Sequence, residues 1–512
     1  MNQFSRIRRQ LVTVDVFGAV LFCAALVQAL RQVHAAWPFV TDDAFVTLRY
    51  SKQLAAGAGL RFNAGEAPVE GYSNFSYVLL GAATLHLPGG PLQVLRALNV
   101  LSLCLSLSLT YVLARRHVSP ILAAAPVWVL ATYKGTAWWT ASGLETAFAQ
   151  ALVSGAALQL DSLLAGHAQG GQRRTFIGLC GVLCLLTVTR PEGTLIAVWV
   201  VLFCAYSWFH ARRRASEGAH SRSCDRELYG FAVAVLFFLA FYHAARFAYF
   251  QQLFPNSVRC KSDYAADPLA LQRELGHTFW PVLILAGVAV LRVRSLRVVV
   301  LVFPLAAESI LFIGAEPSIA YLCRHFLAVL PAVLVAATLG LSELVGLLNA
   351  RRWLSELLAL VLLLPLATPA DLRSLRAEAE GYAGRQRTRS ALAAWLDAHL
   401  PEQAHVMIGD CGIVTYESTR NFIDAYCLNS LETTGPEVHR SAQKFATYVL
   451  NVRPEAIVLH SFSATEMVPQ TYLGVFPAVL HEPRFARNYA LSAKFFADPV
   501  ASYWVFVRND LR

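Results

Sequence analysis

Charge is scarce in this chain. Lys, Arg, Asp and Glu supply 15% of 512 residues, where a soluble protein carries about a quarter. Together with 56% hydrophobic residues and a mean hydropathy of +0.47, that scarcity excludes an ordinary soluble enzyme. Also missing is a small-residue cleavage site behind the apolar stretch 11–30, so this stretch reads as a retained anchor. The ten cysteines lack paired metal-ligand spacing. Cys180 and Cys184, four apart in an apolar run, read as small buried helix residues. No internal repeat is found, and the apolar runs are nearly free of charge.

What is present is a series of apolar runs of near-spanning length. Spans are expected near 11–33, 92–114, 119–134, 143–165, 175–190, 194–210, 228–250, 277–291, 297–313, 325–346 and 353–369, eleven in all. The segment 75–88 is too short to cross and reads as an interfacial or re-entrant helix. Alternate connections collect the motifs "FSRIRRQ", "ARRHVSP", "GGQRR", "HARRRASEGAHSRSCDRE", "RVRSLR" and "NARRW", which hold 17 arginines. The positive-inside rule places those loops and the N-terminus in the cytoplasm. An odd number of spans then puts residues 371–512 outside. The net charge of +10 is thereby explained as a topology signal, and nucleic acid is not an expected partner.

With that orientation the unusual polar motifs share the outer face. They are "TDDAFVTLRY" and "VEGYSNF" in the first outer loop, "WWTASGLET", "TRPEG", "YFQQLFPNSVRCK" and "GAEPSIAYLCRH". Each has a structural reading: Asp42 and Asp43 as a cap on an amphipathic helix ending at Gly57 or Gly59, and Glu145 or Arg190 as snorkelling helix ends. Five such motifs on one face instead suggest a shared cavity, because polar groups near lipid are costly. Cys260 and Cys323 also lie on this face, and sequence alone does not pair them.

Carboxylates beside cations, outside the cytoplasm and next to a bilayer, suit transfer from a lipid-linked phosphate donor. A polyprenyl-phosphate sugar keeps its tail in the bilayer while its head enters the cavity. Transfer needs a base for the acceptor hydroxyl, and Asp42 or Asp43 fits; adjacent carboxylates raise one another's pKa. It also needs cations at the departing phosphate, a task for Arg190, Lys261, Arg324 and His325. The further substrate-binding candidates are Arg49, Glu70, Tyr72, Asn74, Glu145, Glu192 and Asn256.

The stretch "TDDAFVTLRYSKQLAAGAGLRFNAGEAPVEGYSNFSYVLL" resembles the first outer loop of bacterial GT-C glycosyltransferases. Among them it is most similar to the membrane arabinofuranosyltransferases that cap mycobacterial arabinan. "GLET", "RPEG", "FPNS…K" and "RH" recur in similar order, so the resemblance covers most of residues 1–330. "YSNFSY" departs from the usual aromatic ending, and Gly314, Ala315 and Glu316 replace an acidic start. The resemblance implies an inverting enzyme with a polyprenyl-phosphate sugar donor, a glycan or protein acceptor and a first-loop aspartate as base. Some relatives need a divalent metal and others do not; no ligand set here decides.

The expected fold class is thus a polytopic α-helical membrane protein, GT-C-like, with a soluble α/β domain after residue 370. In that domain "RTRSALAAWLDAHLP" reads as a helix, and "HVMIGDCGIVTYE", "RNFIDAYCL", "EAIVLHS" and "SYWVFVRND" as strands. Asp410 and Asp424 follow strand-like runs and read first as turn caps, otherwise as functional loop residues. Two other function classes stand beside the transferase: a lipid-linked sugar transporter, and a non-catalytic envelope-assembly protein.

Overall fold

The computed structural model describes residues 3–165, 172–214, 222–261, 267–315, 320–347, 368–434, 438 and 441–512. Its helices in chain order are α1 (Gln3–Ala36), α2 (Asp43–Ala55), α3 (Phe75–Ala83), α4 (Gly90–Arg115), α5 (Pro120–Thr132), α6 (Lys134–Ala141) and α7 (Thr146–Leu164). They continue with α8 (Gln172–Thr189), α9 (Gly193–Arg214), α10 (Arg222–Phe250), α11 (Asn256–Lys261), α12 (Ala270–Val293), α13 (Leu296–Leu311) and α14 (Leu330–Gly346). Ten of the eleven expected spans are helices here; the eleventh, 353–369, falls almost wholly outside the described residues. Among the described residues, six helices are long and apolar enough to cross a membrane. The chain is a multi-pass membrane protein. The segment expected at the interface forms α3, nine residues long, too short to span.

Local chemistry sets the helix ends. Ser119 and Ser295 accept hydrogen bonds from Leu122 N (3.4 Å) and Arg297 N (3.2 Å), satisfying donors that the helix leaves free. Pro120 and Pro91 sit in the first turns of α5 and α4, where a missing N–H costs nothing. Within the bundle, small residues let helices approach closely. A Cβ at Gly340 of α14 would collide with the Leu285 carbonyl of α12, the kind of contact that apolar helices use in place of a hydrophobic driving force. At one end of the bundle Asp161 gathers Arg116 (3.1 Å) and Arg297 (2.6 Å), and Asp15 meets Arg115 (2.8 Å). Arg115 and Arg116 of "ARRHVSP" and Arg297 of "RVRSLR" therefore share an end with Asp15 of α1.

After the bundle comes α15 (Leu372–His399), capped by Asp371, which accepts from Ser374 N at 2.9 Å. A five-stranded sheet follows: β1 (His405–Ile408), β2 (Asn421–Asp424), β3 (Ala456–His460), β4 (Tyr489–Asp498) and β5 (Ala501–Arg508). The strand order is β2-β1-β3-β5-β4. β1 is parallel to β2 and β3, whereas β5 is antiparallel to β3 and β4. β3 is buried along its whole length, as expected of a central strand covered on both faces. All four expected strands are present; β4 was not anticipated, since "YALSAKFFAD" is mostly exposed and shows no clean burial alternation.

Cys260 of α11 is disulfide-bonded to Cys427, and Cys323 is a free, buried thiol. The partner thus comes from the C-terminal sheet domain, whose docking brings Cys427 to α11. Peptide mapping without reduction is expected to recover the 260–427 link and an alkylatable Cys323; a 260–323 link would contradict this arrangement.

Candidate active site

A cavity of about 630 Å³ opens between the bundle and the first loop, well inside the range of small-molecule sites. Asp43, Thr47 and residues 70–75 form one wall, Arg190, Glu192 and Leu195 another. α10 contributes Tyr242, His243, Arg246 and Phe247, and the turn before α11 contributes Leu253, Phe254 and Pro255. Phe312, Arg324 and His325 close the far side, and Leu428 reaches in from the C-terminal domain. Leu195, Phe247, Leu253 and Phe254 are each exposed at the protein surface, so one flank of the cavity is an apolar opening.

Behind the polar wall lies Glu145, fully buried at the start of α7. It accepts from Arg190 Nη1 at 2.8 Å and from Asn74 Nδ2 at 2.6 Å, and Arg324 Nη2 stands 4.0 Å away. Arg190 Nε also donates to Glu192 Oε1 at 2.5 Å, and its Nη2 lies 3.2 Å from His325 Nδ1. Arg324 sits 4.8 Å from the centre of the Trp139 ring, and the His325 ring stacks on Phe312 at 4.4 Å. Thr47 Oγ1 donates to Asn74 Oδ1 at 3.0 Å, fixing the amide that reaches Glu145. The "RPEG", "GLET", "RH" and "YSN" motifs therefore meet in one hydrogen-bonded group.

Glu70 belongs to a second group. Its carboxylate takes a forked bond from Arg246, with Nε at 2.9 Å and Nη2 at 2.5 Å, and both residues are buried. His243 adjoins them, 3.3 Å from Arg246 Nη1 and 3.0 Å from Thr194 Oγ1. Tyr72 is buried edge-on to Tyr50 at 4.9 Å. Arg246 and His243 escaped the sequence reading, which treated α10 as an uncharged span. The signal was available: an ionisable residue inside an apolar run marks a functional position by default. Arg246→Met would strand the buried Glu70 charge, and a loss of about 3–5 kcal/mol is expected, read as a lowered unfolding midpoint in detergent. Glu70→Gln combined with Arg246→Met is expected to recover part of it.

Other expected site residues lie elsewhere. Asp42 occupies the N-cap position of α2 but makes no side-chain cap. Its carboxylate instead accepts from Gly412 N and Ile413 N, each at 3.0 Å, with Arg389 Nε at 3.6 Å. Burial pushes the Asp42 carboxyl up to about 6, against the opposing pull of Arg389; Asp43 is only a minor contributor. Mutual repulsion of the two aspartates is thus not what tunes it. Arg49 is buried between the Phe62 and Phe422 rings at 4.7 and 5.2 Å. It donates to Phe62 O (2.7 Å), Asn63 Oδ1 (3.0 Å), Arg420 O (3.2 Å) and Thr415 O. Those bonds make it a joint between the first loop and the C-terminal domain, outside the cavity. Asn256 likewise turns away, its Nδ2 donating to Thr434 Oγ1 at 3.0 Å. The Lys261 side chain lies outside the described residues.

Of the two C-terminal aspartates, Asp424 is a turn cap: it accepts from Tyr426 N (2.7 Å) and from Asn429 N (3.0 Å) and Nδ2 (2.8 Å). Burial raises its carboxyl to about 6. Asp410 binds Arg389 Nη2 at 2.8 Å and the Tyr503 hydroxyl. Burial works against its charge, but Arg389 and His460 outweigh it and hold the group below the usual carboxylate range. Among the described residues no group of three or more His, Cys, Asp or Glu side chains is placed to hold a metal ion.

Comparison with solved structures matches nearly the whole chain. ArnT from Cupriavidus metallidurans, bound to undecaprenyl phosphate, aligns with a TM-score of 0.58 at 13% identity, covering 96% of this chain and 98% of that one. The fold is GT-C. The Archaeoglobus fulgidus oligosaccharyltransferase tethered to an acceptor peptide aligns at TM-score 0.58 and 12% identity, over 95% of this chain and 74% of that one. Its complex with an inhibitory peptide and a dolichol-phosphate aligns at 0.54 and 12%, over 94% and 74%. Residues 376–508 match a family described as a domain of unknown function, DUF8728. No curated protein matches by sequence.

Proposed function

We propose that the protein is an inverting glycosyltransferase that moves a sugar from a polyprenyl-phosphate donor to a glycan or protein acceptor on the outer face of a membrane. The observation that carries this reading is one cavity lined by Asp43, Arg190, Arg324 and His325, with an apolar opening beside them. The lipid tail lies along Leu195, Phe247, Leu253 and Phe254, and the phosphate meets Arg324 and His325. Arg190 is largely committed to Glu145 and Glu192 and acts by holding that wall. The similar structures hold undecaprenyl phosphate, a dolichol-phosphate and an acceptor peptide, which supports the substrate class. The first-loop resemblance supports arabinofuranose as the sugar.

In this reaction the acceptor hydroxyl gives its proton to the Asp43 carboxylate as its oxygen attacks the anomeric carbon. The bond from that carbon to the phosphate oxygen breaks, its electron pair leaves with the polyprenyl phosphate, and the configuration inverts. Arg324 and His325 stabilise the charge growing on the phosphate. Asp43 is the base because it is the member of the pair that faces the cavity. The arginine-rich loops and the N-terminus lie in the cytoplasm and the sheet domain outside it. The Cys260–Cys427 bridge supports that placement, since disulfides persist in oxidising compartments.

The test is transfer by purified protein given a polyprenyl-phosphate arabinofuranose and an oligosaccharide acceptor. Asp43→Asn is expected to lower turnover by about 10²–10⁴-fold, and the product should carry the inverted anomeric configuration. Full activity in Asp43→Asn would remove the base, and binding of the lipid without transfer from any donor would favour a transporter.

A further inference from the structure

The first loop is held by the C-terminal domain at a position where α/β sheets ordinarily bind ligands. β1 and β3 are adjacent parallel strands, and the chain leaves their carboxyl ends in opposite directions, from β1 to β2 on one side and from β3 to β4, beyond β5, on the other. Such a switch point makes a crevice whose backbone N–H groups face an incoming anion. Asp410, Gly412 and Ile413 follow β1, and His460 ends β3. Into this crevice comes a side chain of the protein itself: Asp42, gripped by Gly412 N and Ile413 N and flanked by Arg389. Gly412 leaves no room to spare, because a Cβ there would overlap the Asp42 carboxylate. Around the grip, Arg49 reaches Thr415 O and Arg420 O, Tyr50 OH donates to Asn429 Oδ1 at 3.2 Å, and Asn63 pairs with both backbone groups of Phe422.

Consecutive helix positions point about 100° apart. Asp42 and Asp43 therefore face different partners from one turn of α2, the first the sheet domain and the second the cavity. We propose that Asp42 is a positioning residue through which the C-terminal sheet domain fixes the orientation of Asp43. This rests on the reading of Asp43 as the base. The sheet domain is thereby part of the reaction apparatus although, among the described residues, only Leu428 of it lines the cavity.

Full-length protein carrying Asp42→Ala, Asp42→Asn, Gly412→Ala or Asp43→Asn tests this by kinetics and by amide hydrogen exchange. Asp42→Ala and Gly412→Ala are expected to lower kcat by about 10–100-fold, the worth of lost charge-assisted bonds, with the donor KM within about twofold. Asp42→Asn, which keeps one acceptor oxygen for the two amides, should fall between Ala and wild type. Protection of the Gly412 and Ile413 amides and of residues 43–50 should drop about tenfold or more in Asp42→Ala. Wild-type kinetics and protection in Asp42→Ala would overturn the proposal. So would loss of the acidic limb of the pH–rate profile in Asp42→Asn, which would make Asp42 the base itself. Should Asp43→Asn prove fully active while the exchange result holds, the catalytic reading fails and the Asp42 grip stands alone.

Discussion

One fully buried carboxylate holds the centre of this molecule together. Glu145 sits in a low-dielectric interior where an unpaired charge is prohibitively costly. It is stabilised only because Arg190, Asn74 and Arg324 converge on it from three other parts of the chain. That requirement brings the first loop, the α8–α9 turn and the segment before α14 to one place. The groups that line the cavity, His325 and Glu192 among them, are then oriented through Arg190. Polar recognition groups at a membrane's edge are thus set by a structural ion pair whose carboxylate stays behind the cavity wall while its arginine lines it.

The C-terminal domain follows the same logic from the other side. Its sheet offers backbone donors just past the end of β1, and the first loop supplies the carboxylate that satisfies them. Burial raises the Asp42 carboxyl, so the grip places a group with a costly charge against two N–H donors and Arg389 rather than in solvent. Asn63 covers β2 at its edge by bonding both backbone groups of Phe422, which leaves fewer open donors on that strand. The disulfide to α11 adds a covalent tie beside Leu428.

Much of this was legible in the sequence because hydropathy and motif chemistry are local. The helical spans, the gathering of most polar motifs at one cavity and four of the five strands could be read from residue patterns. What could not be read depends on long-range packing. "DD" gives no sign that Asp42 and Asp43 separate, since their division is decided by a sheet almost 370 residues away in the chain. Arg49 looks like a substrate group until Phe422 and Thr415 close over it. Arg246 was hidden by the apolar residues around it, and its partner Glu70 lies 176 positions earlier. Cys260 found Cys427, a residue in a strand-rich region that offered no reason to meet α11.

A structure of the full chain with a polyprenyl phosphate bound tests the placement of donor and base most directly. The phosphate is expected in hydrogen-bonding contact with Arg324 and His325, within reach of the space in front of Asp43, and with the lipid tail leaving past Leu253 and Phe254. A phosphate held at the arginine-rich end around Asp161, or a tail threading away from that flank, would contradict it.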